Sequence, residues 1–362
     1  MISLLAAFFS SFIATLLIIR FEHVHSHFSA DSDISGPQKF HKNAVPRIGG
    51  VSIALGILIA ILLKLRVQAN STVEITLLLC AIPVFAIGLT EDLTKNISVR
   101  MRLFFTAIGA LMAINFLGLQ ITKLDIPGID YLFGFSPIAI VFTIFAVTGL
   151  SNAYNIIDGF NGLSSMVGMI TLMALGYMGY VLTDPLMISL SFMMAAAILG
   201  FFVWNYPRGL IFLGDGGAYL IGFWIAIISI MLVSRHENLS PWFALLVNGY
   251  PILETLFTIY RRKIHQGKSP GQPDGIHFHS LIFRRVLSIG KEGVKQDNWF
   301  ANNARTSPYL WVLTSLAVIP AILWWQSTPI LIGFFILYIF SYVWLYKKIV
   351  SFRTPRWMHP FI

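Results

Sequence analysis

The chain has 362 residues, 56% hydrophobic and 11% charged, with a mean hydropathy of +0.76 and a formal net charge of +9. That composition excludes an ordinary soluble domain, and basic residues spread over several segments without an interleaved-aromatic patch argue against nucleic acid as a partner. A single cysteine, Cys80, excludes an internal disulfide framework and a Cys-based metal site.

In chain order, apolar runs of membrane-crossing length fall at roughly 2–20, 48–63, 73–90, 103–118, 134–151, 165–182, 186–204, 212–233, 242–260, 307–326 and 329–346. They predict an all-α, polytopic membrane protein of about eleven helices, a single integral membrane domain over 1–362 with one large loop at 261–306. The first run lacks a basic leader and a small-residue cleavage site, so it reads as a helix rather than a signal peptide. With the N-terminus outside, 21 of the 25 Lys and Arg residues fall on inner segments, and only Lys64, Arg66, Lys123 and Arg235 fall outside. The positive-inside rule therefore places the N-terminus outside and the C-terminus in the cytoplasm, with anionic membrane lipid as a natural contact.

Glu74, Asp125, Asp130, Asp184 and Glu237 are predicted at outer loops or helix ends, where solvation suffices. Glu254 alone lies well inside an apolar run, and structural pairing and a site-facing role are both open to it. The remaining acids gather toward the inner face, which favours a site at that surface over a transport path with midplane charges.

Four inner segments carry the chemistry. Glu91-Asp92, followed by Lys95, Arg100 and Arg102, joins paired acids to cations suited to a divalent metal, a base or phosphate. Asn152-Ala-Tyr-Asn155-Ile-Ile-Asp158-Gly159-Phe-Asn161-Gly162-Leu163 offers hard oxygen ligands among glycines that let a ligand approach backbone. Phe212-Leu-Gly214-Asp215-Gly-Gly suggests a Mg²⁺ or phosphate site with an aromatic ring for a planar base, although close helix packing also explains its glycines. His277-Phe-His279, followed by Arg284 and Arg285, sets two imidazoles on one side of an extended segment, with cations to offset a diphosphate. His23, His25 and His27 alternate as well, but only Glu22 accompanies them, and a polar loop is the simpler reading.

Together with Pro46-Arg47-Ile-Gly49-Gly50, these motifs resemble, in order and spacing, the polyprenyl-phosphate N-acetylhexosamine-1-phosphate transferases. The resemblance implies ten or eleven helices whose cytoplasmic loops form one site for a UDP-N-acetylhexosamine, undecaprenyl phosphate and Mg²⁺, with Mn²⁺ able to substitute. It implies attack of the lipid phosphate on the β-phosphorus of the UDP-sugar with release of UMP. Carried over by motif, Asp215 and Asn155 are metal ligands, and Asp92 is the acid near the lipid phosphate, its positioning or proton-abstracting role left open. Asp158 joins it as a catalytic carboxylate, and Arg102 binds phosphate. Phe212 and Asn161 meet the uracil, while His277, His279 and nearby arginines, Arg284 among them, grip the diphosphate. Arg47 and Asn152, in the matching motifs, serve substrate binding.

Several positions depart from the family pattern. Glu91 stands where many members have Asp, Asn161 where Asp is frequent, and Ser280 replaces a third histidine. The last argues against a muramoyl-pentapeptide donor and favours UDP-GlcNAc or a modified N-acetylhexosamine, used to begin O-antigen lipopolysaccharide, capsule or another envelope glycan at a bacterial inner membrane. A homodimer is compatible with the reading. A lipid-linked glycan or solute transporter and a non-catalytic nucleotide-sugar-binding relative are the alternatives.

Overall fold

A computed structural model describes residues 1–24, 45–67, 72–267, 274–287, 296–355 and 358. His25, His27 and parts of the 261–306 segment lie outside the described residues. The described chain is helical throughout: α1 (Ile2–Arg20), α2 (Gly49–Val67), α3 (Thr72–Thr94), α4 (Val99–Leu117), the short α5 (Asp130–Phe133), α6 (Ser136–Ile156), α7 (Leu163–Val181), α8 (Pro185–Asn205), α9 (Gly214–Arg235), α10 (Pro241–Val247), α11 (Gly249–Tyr260), α12 (Phe278–Ile282), α13 (Gln296–Leu323) and α14 (Thr328–Val350). Ten of these are long and apolar enough to cross a membrane. The pair α10 and α11, bent by 75° at Asn248, is apolar enough to pass the same test together, as a broken span or a re-entrant loop.

α9 is the axis of the bundle, with 89% of its apolar stretch buried. It packs on α2, α3, α6, α7 and α8, while α1 leans on α2 and α8 at the edge. The approach of α2 and α3 to α9 depends on missing side chains. A Cβ on Gly50 would lie 2.3 Å from Gly217 N, and one on Gly88 would lie 2.7 Å from Gly216 Cα. The glycines after Asp215 therefore serve helix packing, and this close approach brings the ends of α2, α3 and α9 to one point.

The bent pair differs from the single helix predicted over 242–260. Pro251 follows closely after the break and cannot donate a backbone hydrogen bond, and the freed polar groups are closed by neighbours. Thr171 Oγ1 donates to Val247 O at 3.2 Å, and Asn248 Nδ2 donates to Ala244 O at 2.9 Å and to Ser229 Oγ at 3.4 Å.

Two acids predicted to be solvated are buried instead. Glu74 is 2% exposed and pairs with Lys64 Nζ at 2.5 Å, which also donates to Ser189 Oγ at 2.7 Å. Asp184 is 3% exposed; it caps α8 by accepting from Leu186 and Met187 N, and it pairs with Arg235 Nε at 2.6 Å. Both sit at the end of the bundle opposite the glycine convergence, where burying a charge requires a partner. The described residues of the predicted 261–306 loop hold π-helical turns at Arg261–His265 and Phe283–Leu287, α12, and the first turns of α13.

Candidate active site

At the convergence of α2, α3, α4 and α9, Asp215 lies in the first turn of α9 and is 2% exposed. Arg47 Nη2 donates to its Oδ1 at 2.5 Å, and Arg102, in the first turn of α4, donates to its Oδ2. Backbone pairing fixes Arg47 in place: Phe212 N donates to Pro46 O at 2.8 Å, Gly49 N to Phe212 O at 2.9 Å, and Gly50 N to Leu213 O at 2.8 Å. The half-buried Phe212 thus holds the arginine segment through its backbone.

Asp92, in the last turn of α3 rather than on a loop, accepts from Asp215 N at 2.7 Å and Gly216 N at 2.8 Å, with Arg47 Nε at 3.5 Å. Gly214 carries φ +77°, a left-handed conformation that favours glycine, and a Cβ there would lie 2.2 Å from Arg47 O and 2.6 Å from Asp92 Oδ2. Glu91 Oε2 accepts from Ile97 N at 2.6 Å and so braces the turn leading into α4 and Arg102.

The Asn-rich motif lies across the last turn of α6 and the turn into α7. Asn152 Oδ1 accepts from Tyr219 Oη at 2.8 Å, and the Tyr219 ring lies 5.9 Å from the Arg102 guanidinium carbon. Tyr219 was not singled out from the sequence; its place one turn after Asp215 on α9 was the available clue. Burial pushes the Asp158 carboxyl up to about 7, against the pull of Arg47. Asn155 is partly exposed, with no side-chain hydrogen-bond partner among the described residues.

Asp215 and Asn155 carry hard oxygen donors of the kind a divalent cation takes, with water and phosphate oxygens commonly completing such sites; in this structure both Asp215 oxygens are paired with the guanidiniums of Arg47 and Arg102. Among the described residues, no group of three or more His, Cys, Asp or Glu side chains is arranged around one metal position.

A second cluster forms where α11, α12 and α14 meet. Glu254, 1% exposed, takes His277 Nδ1 at 3.0 Å, Phe278 N at 3.2 Å and Tyr342 Oη at 2.7 Å. It is therefore a structural anchor for the histidine turn. His277 Nε2 lies 3.9 Å from Asp274 Oδ2, and Asp274 is paired with Arg261 and Arg262. The His277 and His279 rings stack at 5.2 Å. Burial, reinforced by His277, lowers His279 to about 3, so this imidazole is neutral at pH 7. Its buried Nδ1 has no hydrogen-bond partner among the described residues, while Nε2 faces Gly159, where a Cβ would lie 3.0 Å away. Gly159 thus joins the histidine cluster to the Asn-rich turn.

Asn161 forms part of the wall and is 2% exposed. Its N–H donates to Asn303 Oδ1 at 3.0 Å and its Nδ2 to Pro207 O at 3.1 Å, while Ser307 Oγ donates to its carbonyl at 2.6 Å. Its Oδ1 is buried without a hydrogen-bond partner among the described residues. Asn205, another residue not singled out, accepts from Gly162 N at 2.6 Å and donates to Ile211 O at 2.7 Å, tying the Asn-rich turn to the Phe212 segment. Arg284 lies exposed on the second π-helical turn.

Residues 75–233 match the model of glycosyl transferase family 4. The chain is 30% identical over 254 residues to an undecaprenyl-phosphate alpha-N-acetylglucosaminyl 1-phosphate transferase of Yersinia pestis, covering 68% of each chain. A protein of the same name from Haemophilus influenzae is 27% identical over 369 residues, covering 99% of this chain and 96% of the relative. A probable undecaprenyl-phosphate N-acetylglucosaminyl 1-phosphate transferase of Bacillus subtilis is 28% identical over 290 residues, covering 80% and 79%.

Proposed function

Since the chain belongs to glycosyl transferase family 4, we propose that it transfers N-acetylhexosamine-1-phosphate, GlcNAc-1-phosphate first among the candidates, from a UDP-sugar to undecaprenyl phosphate. An oxygen of the lipid phosphate bonds to the β-phosphorus, the bridging bond to the α-phosphate breaks, and UMP departs. The product is a polyprenyl diphosphate sugar. The observation that carries this reading is the buried Asp215 carboxylate held between Arg47 and Arg102, beside Asp92 and Asp158. Two anionic substrates repel each other, so their meeting requires concentrated positive charge and fixed geometry.

In this reading Asp215 and Asn155 hold Mg²⁺, which supplies charge neutralisation when bound. Arg47 and Arg102 then face phosphate oxygens. His279, neutral and with an unpaired nitrogen, acts toward the diphosphate as a hydrogen-bond donor rather than a cation. His277 and the exposed Arg284 border the same approach. Asn161, through its unpaired Oδ1, and the Phe212 ring are the contacts offered to uracil. The basic-residue asymmetry supports a site that faces the cytoplasm; in this reading the membrane is a bacterial inner membrane and the pathway role is initiation of an O-antigen or related glycan.

Mass spectrometry of lipid extracts tests the reading. Purified protein given Mg²⁺, undecaprenyl phosphate and UDP-GlcNAc is expected to yield undecaprenyl diphosphate GlcNAc. Recovery of unmodified lipid phosphate with every UDP-N-acetylhexosamine offered would contradict it.

A further inference from the structure

The Glu91-Asp92 pair sits where a general base would be sought, yet both carboxylates are committed to backbone. Asp92 is 2% exposed, and its two oxygens accept from consecutive amides at the start of α9, Asp215 N at 2.7 Å and Gly216 N at 2.8 Å. Gly214 closes over Oδ2 so tightly that a Cβ there would lie 2.6 Å from it, and Arg47 Nε stands 3.5 Å from Oδ1. The amides bound by Asp92 belong to the turn that carries the Asp215 carboxylate. Each oxygen keeps a further lone pair, but the carboxylate is buried, and moving it out to meet a proton on substrate would leave two buried N–H groups without acceptors and would free that turn to rotate. Glu91 acts in parallel on the opposing cation, since its bond to Ile97 N fixes the turn into α4 and hence the aim of Arg102 at Asp215.

We propose that Asp92 is a positioning residue, which caps α9 and aims the Asp215 carboxylate, and is not the base of the transfer. A phosphate monoester is ionised at neutral pH and its oxygen needs no proton removed before it attacks, so the reaction balances without such a base. The inference rests on the proposed reading of Asp215 as a metal ligand.

The test uses full-length protein in detergent, comparing wild type with Asp92→Asn. The amide keeps the size of the side chain but leaves one oxygen acceptor for two N–H donors. Mn²⁺ binding is followed by electron paramagnetic resonance without substrates, lipid phosphate binding is measured separately, and the pH profile of residual UMP release is recorded. The expected result is Mn²⁺ binding weakened about tenfold or more, lipid phosphate binding unchanged, and a lowered pH profile of wild-type shape. In an Asp215→Asn background, Asp92→Asn should weaken Mn²⁺ no further. Unchanged Mn²⁺ affinity with loss of the profile's acid limb would overturn the proposal, as would a wild type with no Asp215-dependent Mn²⁺ binding. Wild-type protein that binds Mn²⁺ through Asp215 but makes no UMP would contradict the reaction and leave this test intact. Should Asp92→Asn not elute as a folded species, hydrogen exchange in wild type decides. The segment 213–218 should stay protected when lipid phosphate binds, and its deprotection on binding would overturn the proposal.

Discussion

Replacing Glu254 by Gln probes the buried anchor beneath the histidine turn. The carboxylate accepts from Phe278 N and Tyr342 Oη and lies 3.0 Å from His277 Nδ1, all in an environment where Glu254 is 1% exposed. Hydrogen bonds to a charged acceptor contribute about 1.5–3 kcal/mol and neutral ones about 0.5–1.5 kcal/mol, so three downgraded bonds lose about 3–4 kcal/mol. Burying a neutral amide costs less than burying a carboxylate, and Tyr342 can turn to accept from the new NH₂, which together return about 1–2 kcal/mol. The net is about 2 kcal/mol, or roughly 30-fold in the population holding the histidine turn in place. The assay pairs thermal unfolding in detergent with steady-state UMP release. Glu254→Gln should unfold at lower temperature and show a raised KM for the sugar nucleotide, because His277 and His279 lose their support. Wild-type unfolding and wild-type KM together would refute the anchoring role.

If the Asp158 carboxylate is required ionised, UMP release should rise through about pH 7, and Arg47→Gln should move that midpoint upward, because Arg47 pulls it down; a pH–rate profile reads this. The raised value also means that Asp158 favours the fold below the ordinary carboxylate range and that this contribution is lost as pH rises through about 7. Gly214→Ala adds left-handed strain of about 1–2 kcal/mol and a Cβ 2.2 Å from Arg47 O; with overpacking the cost is roughly 3 kcal/mol, visible as a lowered melting temperature and lost turnover. Asp184→Ala removes the α8 cap and the Arg235 pair at the opposite end. It should cost about 1–2 kcal/mol in thermal stability, with turnover per folded molecule unchanged.

Helix positions were legible because uninterrupted apolar length follows from the bilayer's demand for satisfied backbone. The break at Asn248 was harder to read. Gly249 and Pro251 are suited to a break, but the groups that make it tolerable, Thr171 and Ser229, come from two other helices and meet it only once those have packed. Glu74 read as a solvated helix end because its partner Lys64 depends on how α2 and α3 pack. Of the residues that the motifs named, Arg47, Asp92 and Arg102 meet at Asp215, since each lies at a helix end on one face of the bundle. They did not distinguish an exposed acid from one committed to backbone, as Asp92 and Glu91 are. That distinction is tertiary: a carboxylate in the last turn of one helix meets the first amides of another only after their glycines have brought them together.

The central claim is most directly tested by measuring UMP release from purified protein with Mg²⁺, undecaprenyl phosphate and a panel of UDP-N-acetylhexosamines, beside Asp215→Ala. UMP that appears only with lipid phosphate, and is abolished in Asp215→Ala, is the expected result. No UMP from any donor, in folded protein shown to bind lipid phosphate, would contradict the account.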